Sequence, residues 1–165
     1  MTRTLILMRH AKSSWDDASL DDHSRHLNGR GQRSAKTLGN WLRKQGLQPD
    51  QAIVSSSVRT RETFAGLNLP LDAEFTDALY HANSAEIQMV LEMASGQTVL
   101  VIGHNPDISE FAAEMVAKPP KHARFDGFPT GATAVIRFDI DDWDQVEPGT
   151  GQVLEFVIPR ELPEE

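Results

Sequence analysis

Residues 4–10, TLILMRH, end an apolar run with Arg9 and His10 side by side. The pattern recurs twice: AIVSSSVR sets Ser55, Ser56, Ser57 and Arg59 after a second apolar run, and TVLVIGHNP sets His104 after a third. A lone Arg or His at a strand end is ordinarily a solvated boundary residue. Three strands of one parallel sheet are different, because ligands collect beyond the carboxyl ends of such strands. Two guanidiniums and two imidazoles, with no cysteine and no Ser-His-Asp arrangement, point to a phosphoryl group, whose oxygens match the fork of an arginine. A neutral imidazole is then the nucleophile. A guanidinium at ~4 Å and an effective dielectric of ~20 contributes about 4 kcal/mol, enough to move a histidine pKa down by up to ~3 units. One histidine is expected to attack while the other, beside a bound dianion, donates to a phosphate oxygen.

The elements that must position these groups follow from periodicity. Strands are expected at 4–8, 52–54, 98–102, 132–138 and 152–158. Helices are expected over 31–45, stopped by Gly46; from a Ser57 cap to Leu67; from Ser84 towards Gly96; and from Pro106 through Met115. PGTG at 148–151 reads as a hairpin turn between the last two strands. Strands alternating with helices imply right-handed crossovers and a mostly parallel sheet covered on both faces. Trp15 and Trp41 read as core or groove packing, and His23, His26 and His122 as surface residues.

Composition narrows the partners. The chain has 165 residues, 39% of them hydrophobic, which suits one globular domain over 1–165. Sixteen Lys and Arg against twenty-four Asp and Glu give a formal charge of -8, which opposes nucleic acid and anionic membrane surfaces as partners. The stretch from Arg3 to Lys12 is nevertheless purely basic, so a small positive pocket on an acidic body is expected. The absence of cysteine removes thiolate chemistry and sulfur-ligated zinc. With no apolar run of membrane-spanning length and no secretory signal, a cytoplasmic location is the expectation.

RHAKSSW, LNGRGQRSA, SSSVRTRET and VIGHNP, in that order and spacing, resemble the histidine phosphatase (phosphoglycerate-mutase-like) superfamily. The short chain, the RHAKS form and the PTGA at 129–132 resemble its small bacterial phosphohistidine phosphatase branch. The resemblance implies a three-layer α/β/α sandwich of phosphoglycerate-mutase type and no metal or organic cofactor. It implies that His10 is the phosphoryl acceptor and that Arg9, Arg59 and His104 bind the phosphate. Ser13 stands where the family often has a hydroxyl near the phosphate, and Asp16 and His81 join it as candidate substrate contacts.

The general acid does not transfer cleanly. Related enzymes place an acidic residue where this chain reads TDALYHANSAE, leaving Asp77, Tyr80, His81 and Glu86 as candidates beside Asp16. The short chain leaves little room for an insertion roofing the pocket, so a phosphorylated protein side chain is the expected substrate and a small phosphomonoester the alternative. A mutase, a silent phosphate-binding module and a metal hydrolase using His10, Asp16, Asp22 and His104 are the rival readings. Monomer and small homo-oligomer both stay open.

Overall fold

A computed structural model describes residues 1–164. Six strands form one sheet in the order β3-β2-β4-β1-β5-β6. They are β1 (Arg3–Arg9), β2 (Gln51–Ser55), β3 (Glu74–Thr76), β4 (Thr98–Gly103), β5 (Thr133–Phe138) and β6 (Gln152–Val157). The run β3-β2-β4-β1 is parallel, while β5 lies antiparallel to both β1 and β6. The expected mostly parallel sheet is therefore present, with one strand reversed. Four helices cover it: α1 (Gly29–Lys44), α2 (Val58–Leu67), α3 (Ser84–Glu92) and α4 (Asp107–Met115).

Strand alternation divides the core in two. Ile6, Met8, Ala52, Val54, Leu100 and Ile102 point to the face packed by Leu38 and Leu42 of α1 and Leu67 of α2. Leu5, Leu7, Ile53, Val99 and Val101 point to the opposite face, against Ile87 and Leu91 of α3 and Ile108, Phe111 and Met115 of α4. Burying each such side chain contributes roughly 1.5–3 kcal/mol, so both layers clamp the central strands from which the site hangs. None of the described helices is long and apolar enough to cross a membrane.

Helix ends follow the sequence signals, with two shifts. The Ser57 side chain caps α2 by accepting from the Thr60 amide. Asn83, rather than Ser84, caps α3, and Glu86 completes a capping box by accepting from the Asn83 amide. PGTG does not make a tight hairpin. Thirteen residues join β5 to β6, including a short 3-10 turn at Trp143–Gln145, and the Gly149 and Gly151 amides donate to carbonyls of Glu114 and Met115 at the end of α4. The strand β3 escapes the sequence pattern because it is three residues long and largely exposed.

The LNGRG segment ties α1 to the loop after β1. Asn28 caps α1 through the Gly31 amide, and its own amide donates to the Lys12 carbonyl. A Cβ at Gly31 would stand 2.0 Å from that same carbonyl oxygen, so only glycine allows this approach. The loop carrying Ala11 to Ser13 is thereby held against the start of the helix.

Candidate active site

Register explains why the histidines meet. β1 and β4 are adjacent and parallel, with Arg9 opposite Gly103, so the next residues, His10 and His104, leave the sheet side by side. Their ring centroids lie 5.3 Å apart, and each residue is only 6% exposed. β2, on the other side of β4, delivers Ser55 and the start of α2, which brings Arg59. The three strand ends thus build one pocket.

The backbone after β1 is fixed at every step. The His10 amide donates to Gly103, the His10 carbonyl accepts from Gly131 of the PTGA segment, and the Ala11 amide donates to the Thr63 hydroxyl, 3.0 Å away. Thr63 in turn donates to the Arg59 carbonyl, coupling the loop after β1 to α2. His10 Nδ1 lies 2.7 Å from the Ala11 carbonyl oxygen. A carbonyl only accepts, so Nδ1 carries the proton and Nε2 presents its lone pair. Burial first, and then the charges of Arg9, Arg59 and Arg25, pull the His10 pKa down to about 3, the Ala11 bond acting the other way. Neutrality was expected from the arginines; desolvation is the larger cause.

His104 is oriented from both nitrogens. A guanidinium only donates, so Nδ1, 3.3 Å from Arg59 Nη2, holds a lone pair, and Nε2 donates to Ser55 Oγ at 2.8 Å. Burial, His10 and Arg59 bring its pKa down to about 3, with Asp22 opposing. Asn105 of GHNP donates to the Gly127 and Phe128 carbonyls, anchoring the start of α4 to the loop that also accepts from Arg9 Nη1 at Phe128.

Asp22 is the organiser of the cations. Its Oδ2 accepts from Arg59 Nη2 at 2.9 Å and from the Tyr80 hydroxyl at 2.6 Å, and its Oδ1 accepts from Arg25 Nη1 at 3.1 Å. These donors and the two guanidinium charges overcome partial burial and hold the carboxyl well below the usual range. Burial and the Asp22 bond push Tyr80 up to about 12, so its proton stays on the bridge to Asp22. Arg9 Nε and Arg59 Nε are buried donors with no partner among the described residues. Such donors cost about 1–3 kcal/mol each, a pattern of a site shaped for an anion rather than for internal pairing.

The cavity is about 300 Å³, and its lining includes Arg9, His10, Ser13, Arg25, Arg59 and His104, together with Asp22, His81, Asp107 and Lys12. Of the residues singled out in the sequence, Ser13 and His81 therefore face it. Ser13 Oγ is held by Arg25 Nη2. Asp16 is exposed and lies outside the lining, its amide bonded to Ser14 Oγ. Asp77 accepts from Ser56 Oγ and Glu86 serves its capping box, so neither lines the cavity. The metal set built on Asp16 does not converge, and no group of three His, Cys, Asp or Glu among the described residues could hold an ion.

Two pocket residues lacked a sequence signal. Arg25 sits in an irregular loop, 3.2 Å over the ring of Trp15, which is 73% exposed and forms the rim rather than core. Asp107 opens α4, and burial raises its pKa above the ordinary carboxylate value. His23 was expected at the surface; it is half-buried, donating through Nε2 to Ser56 Oγ at 2.9 Å, since that hydroxyl donates its own proton in the bond to Asp77.

The buried histidines carry a stability consequence. In the unfolded chain they gain protons below about pH 6.5, whereas in the fold they stay neutral to about 3. Protons therefore favour unfolding as pH falls through that window, by about 1.5 kcal/mol per histidine between pH 6.5 and 5. Urea melts across this range should show that loss, and His10→Gln with His104→Gln should flatten it; an unchanged slope in the double variant would show that other groups control it.

The comparisons match this geometry. Residues 5–89 fit the family model of the histidine phosphatase superfamily, branch 1. The chain belongs to the histidine phosphatase superfamily. This histidine phosphatase is 30% identical over 146 residues to the phosphohistidine phosphatase SixA of Escherichia coli, covering 82% of this chain and 85% of that one. It is 32% identical over 160 residues to an uncharacterized protein of Mycobacterium tuberculosis, covering 93% and 100%. Among solved structures, a Nakamurella multipartitia chain provisionally named a SixA phosphohistidine phosphatase superposes with a TM-score of 0.85 at 29% identity, covering 96% of this chain and 97% of that one. A protein histidine phosphatase SixA complexed with tungstate gives 0.73 at 26% identity, covering 96% and 98%. The fold is thus that of the phosphoglycerate-mutase-like phosphatases, and phosphatase chemistry is the activity class.

Proposed function

We propose that this phosphatase removes phosphoryl groups from phosphohistidine on protein substrates through a phosphoenzyme on His10. The observation that carries the reading is the His10 ring: one nitrogen pinned as a donor to Ala11, the other bare, in a pocket of guanidiniums with an exposed rim. His10 Nε2 attacks phosphorus in line, the P–N bond to the substrate imidazole breaks, and the leaving nitrogen takes a proton. Phosphorylated at Nε2 with a proton still on Nδ1, His10 is an imidazolium, and the Ala11 carbonyl stabilises that charge. Arg9, Arg25 and Arg59 face the oxygens as charge develops. A bound dianion also offsets the burial and the Arg59 repulsion that lower Arg9, and draws a proton to His104 Nδ1, which then donates to phosphate. Water attacks the phosphoenzyme, inorganic phosphate leaves and His10 returns to neutrality.

Asp107 is the proton carrier of this scheme. It is a carboxyl of the cavity lining with a raised pKa, and a phosphoryl dianion raises it further. It protonates the leaving group and later accepts the proton of the attacking water. Asp107→Asn should slow alkyl phosphates by about 10²-fold while p-nitrophenyl phosphate, whose leaving group needs no proton, changes only a few-fold. Equal losses on both would remove Asp107 from this role.

The substrate itself is tested by offering a protein phosphorylated on histidine beside peptides carrying phosphoserine, phosphothreonine and phosphotyrosine. The phosphoramidate should be released with the highest kcat/KM. Preference for any of the phosphoesters would contradict the reading.

A further inference from the structure

A second concave site adjoins the catalytic cavity and shares Lys12 and Thr130 with it. Its volume is about 150 Å³, the share of roughly five water molecules. Four cations from four separate segments converge there: Lys12 beyond β1, Arg30 in the first turn of α1, Arg124, and Arg160 in the turn Pro159–Glu161. Glu164 is the one acidic residue of the lining among the described residues. None of the four has a hydrogen bond or salt bridge from its side chain among the described residues. Glu161 bonds to His122 Nε2 at 2.9 and 3.0 Å and feels the charge of Arg160 without forming a salt bridge to it. On a chain of formal charge -8 such a gathering runs against composition, and four like charges held together without a salt bridge among the described residues favour an incoming anion.

We propose that this groove receives an acidic side chain of the substrate protein, next to the phosphorylated residue, while the phosphoryl group occupies the His10 pocket. The assignment rests on the protein-substrate reading above. Lys12, common to both sites, sets the spacing: the second anion lies one lysine side chain away from the phosphoryl group. A substrate carrying Asp or Glu beside its phosphohistidine is bound at two points, and the groove contributes to recognition without touching the reacting atoms.

The test uses the full chain and Arg30→Gln with Arg160→Gln, both exposed positions outside the catalytic cavity. The double variant should raise KM for a phosphohistidine peptide with acidic flanks by about tenfold, with kcat unchanged. KM for the same peptide with neutral flanks, and for p-nitrophenyl phosphate, should stay within twofold, and the acidic-peptide advantage should fade as salt is added. Equal KM changes for both peptides, or none for either, overturn the proposal. A loss confined to a small phosphoester bearing a second phosphate would overturn the assignment to a protein. Should no phosphopeptide be turned over while p-nitrophenyl phosphate is, the phosphohistidine reading fails by itself. Fluorescence anisotropy of the unphosphorylated acidic peptide then decides the groove, weaker binding to the double variant upholding it and equal binding refuting it.

Discussion

His10→Ala should lose kcat by about 10⁴-fold or more on every substrate, because in the proposed mechanism it removes the atom that bonds to phosphorus. The variant should still fold. The histidine's ring nitrogens make a single hydrogen bond, to the neighbouring carbonyl, while the loop is held by the backbone bonds of residues 10 and 11 to Gly103, Gly131 and Thr63. Removing an imidazole that stays neutral in the fold down to about pH 3 also removes a group that resists protonation there, so the stability lost between pH 6.5 and 5 should be smaller than in wild type. Circular dichroism and urea melts establish that the fold is kept, and phosphate release measures the loss. A His10→Ala protein that kept activity within tenfold would mean direct attack by water.

Arg59→Ala is the second large effect, at about 10³-fold in kcat/KM. This guanidinium reaches the carbonyl and carboxylate of Asp22 and the Nδ1 of His104. In the proposed mechanism its loss takes a preorganised charge from the phosphoryl oxygens, frees one side of Asp22 and leaves His104 oriented only through its Nε2, by Ser55 and more weakly by Ser57. Asp22 is too open to solvent for that freed pair to matter much for stability, so the loss should appear in catalysis rather than in the melt. Arg59→Lys should recover little, since one ammonium cannot span Asp22 and His104 together. Recovery to within a few-fold of wild type would show that charge alone, without the fork, is what the position supplies.

The reach of the sequence can be read from particular residues. Arg9, His10, Arg59 and His104 were legible because each ends a strand or comes soon after one, and strand ends of a parallel sheet share an edge whatever the loops do. The register that sets Arg9 opposite Gly103 converts that shared edge into ring-to-ring proximity. Arg25 and Asp107 were not legible for opposite reasons. Arg25 belongs to a loop without periodicity and reaches the pocket through its bonds to Asp22 and Ser13, which sequence spacing does not encode. Asp107 looked like an ordinary acidic residue of a first helical turn, a place where carboxylates are favoured for the dipole alone. Asp16, nearest the nucleophile in number, lies outside because the chain turns to solvent after Ser14. The PGTG turn misled for a similar reason: turn residues mark a reversal but not how many residues precede it.

The fold-level features rested on firmer signals. Unbroken apolar runs in β1 and β4 imply two buried faces, and two buried faces require helices on both sides. The short exposed β3 had neither alternation nor length, so nothing in it distinguished a strand from a loop.

The most direct test is to quench the enzyme during turnover and map the attached phosphoryl group by mass spectrometry and phosphorus NMR. An acid-labile phosphoramidate on Nε2 of His10, formed and lost at rates that support turnover and absent from His10→Ala, is the predicted result. Phosphate found on Nδ1, on His104 or on no residue at all, with turnover intact, would contradict it.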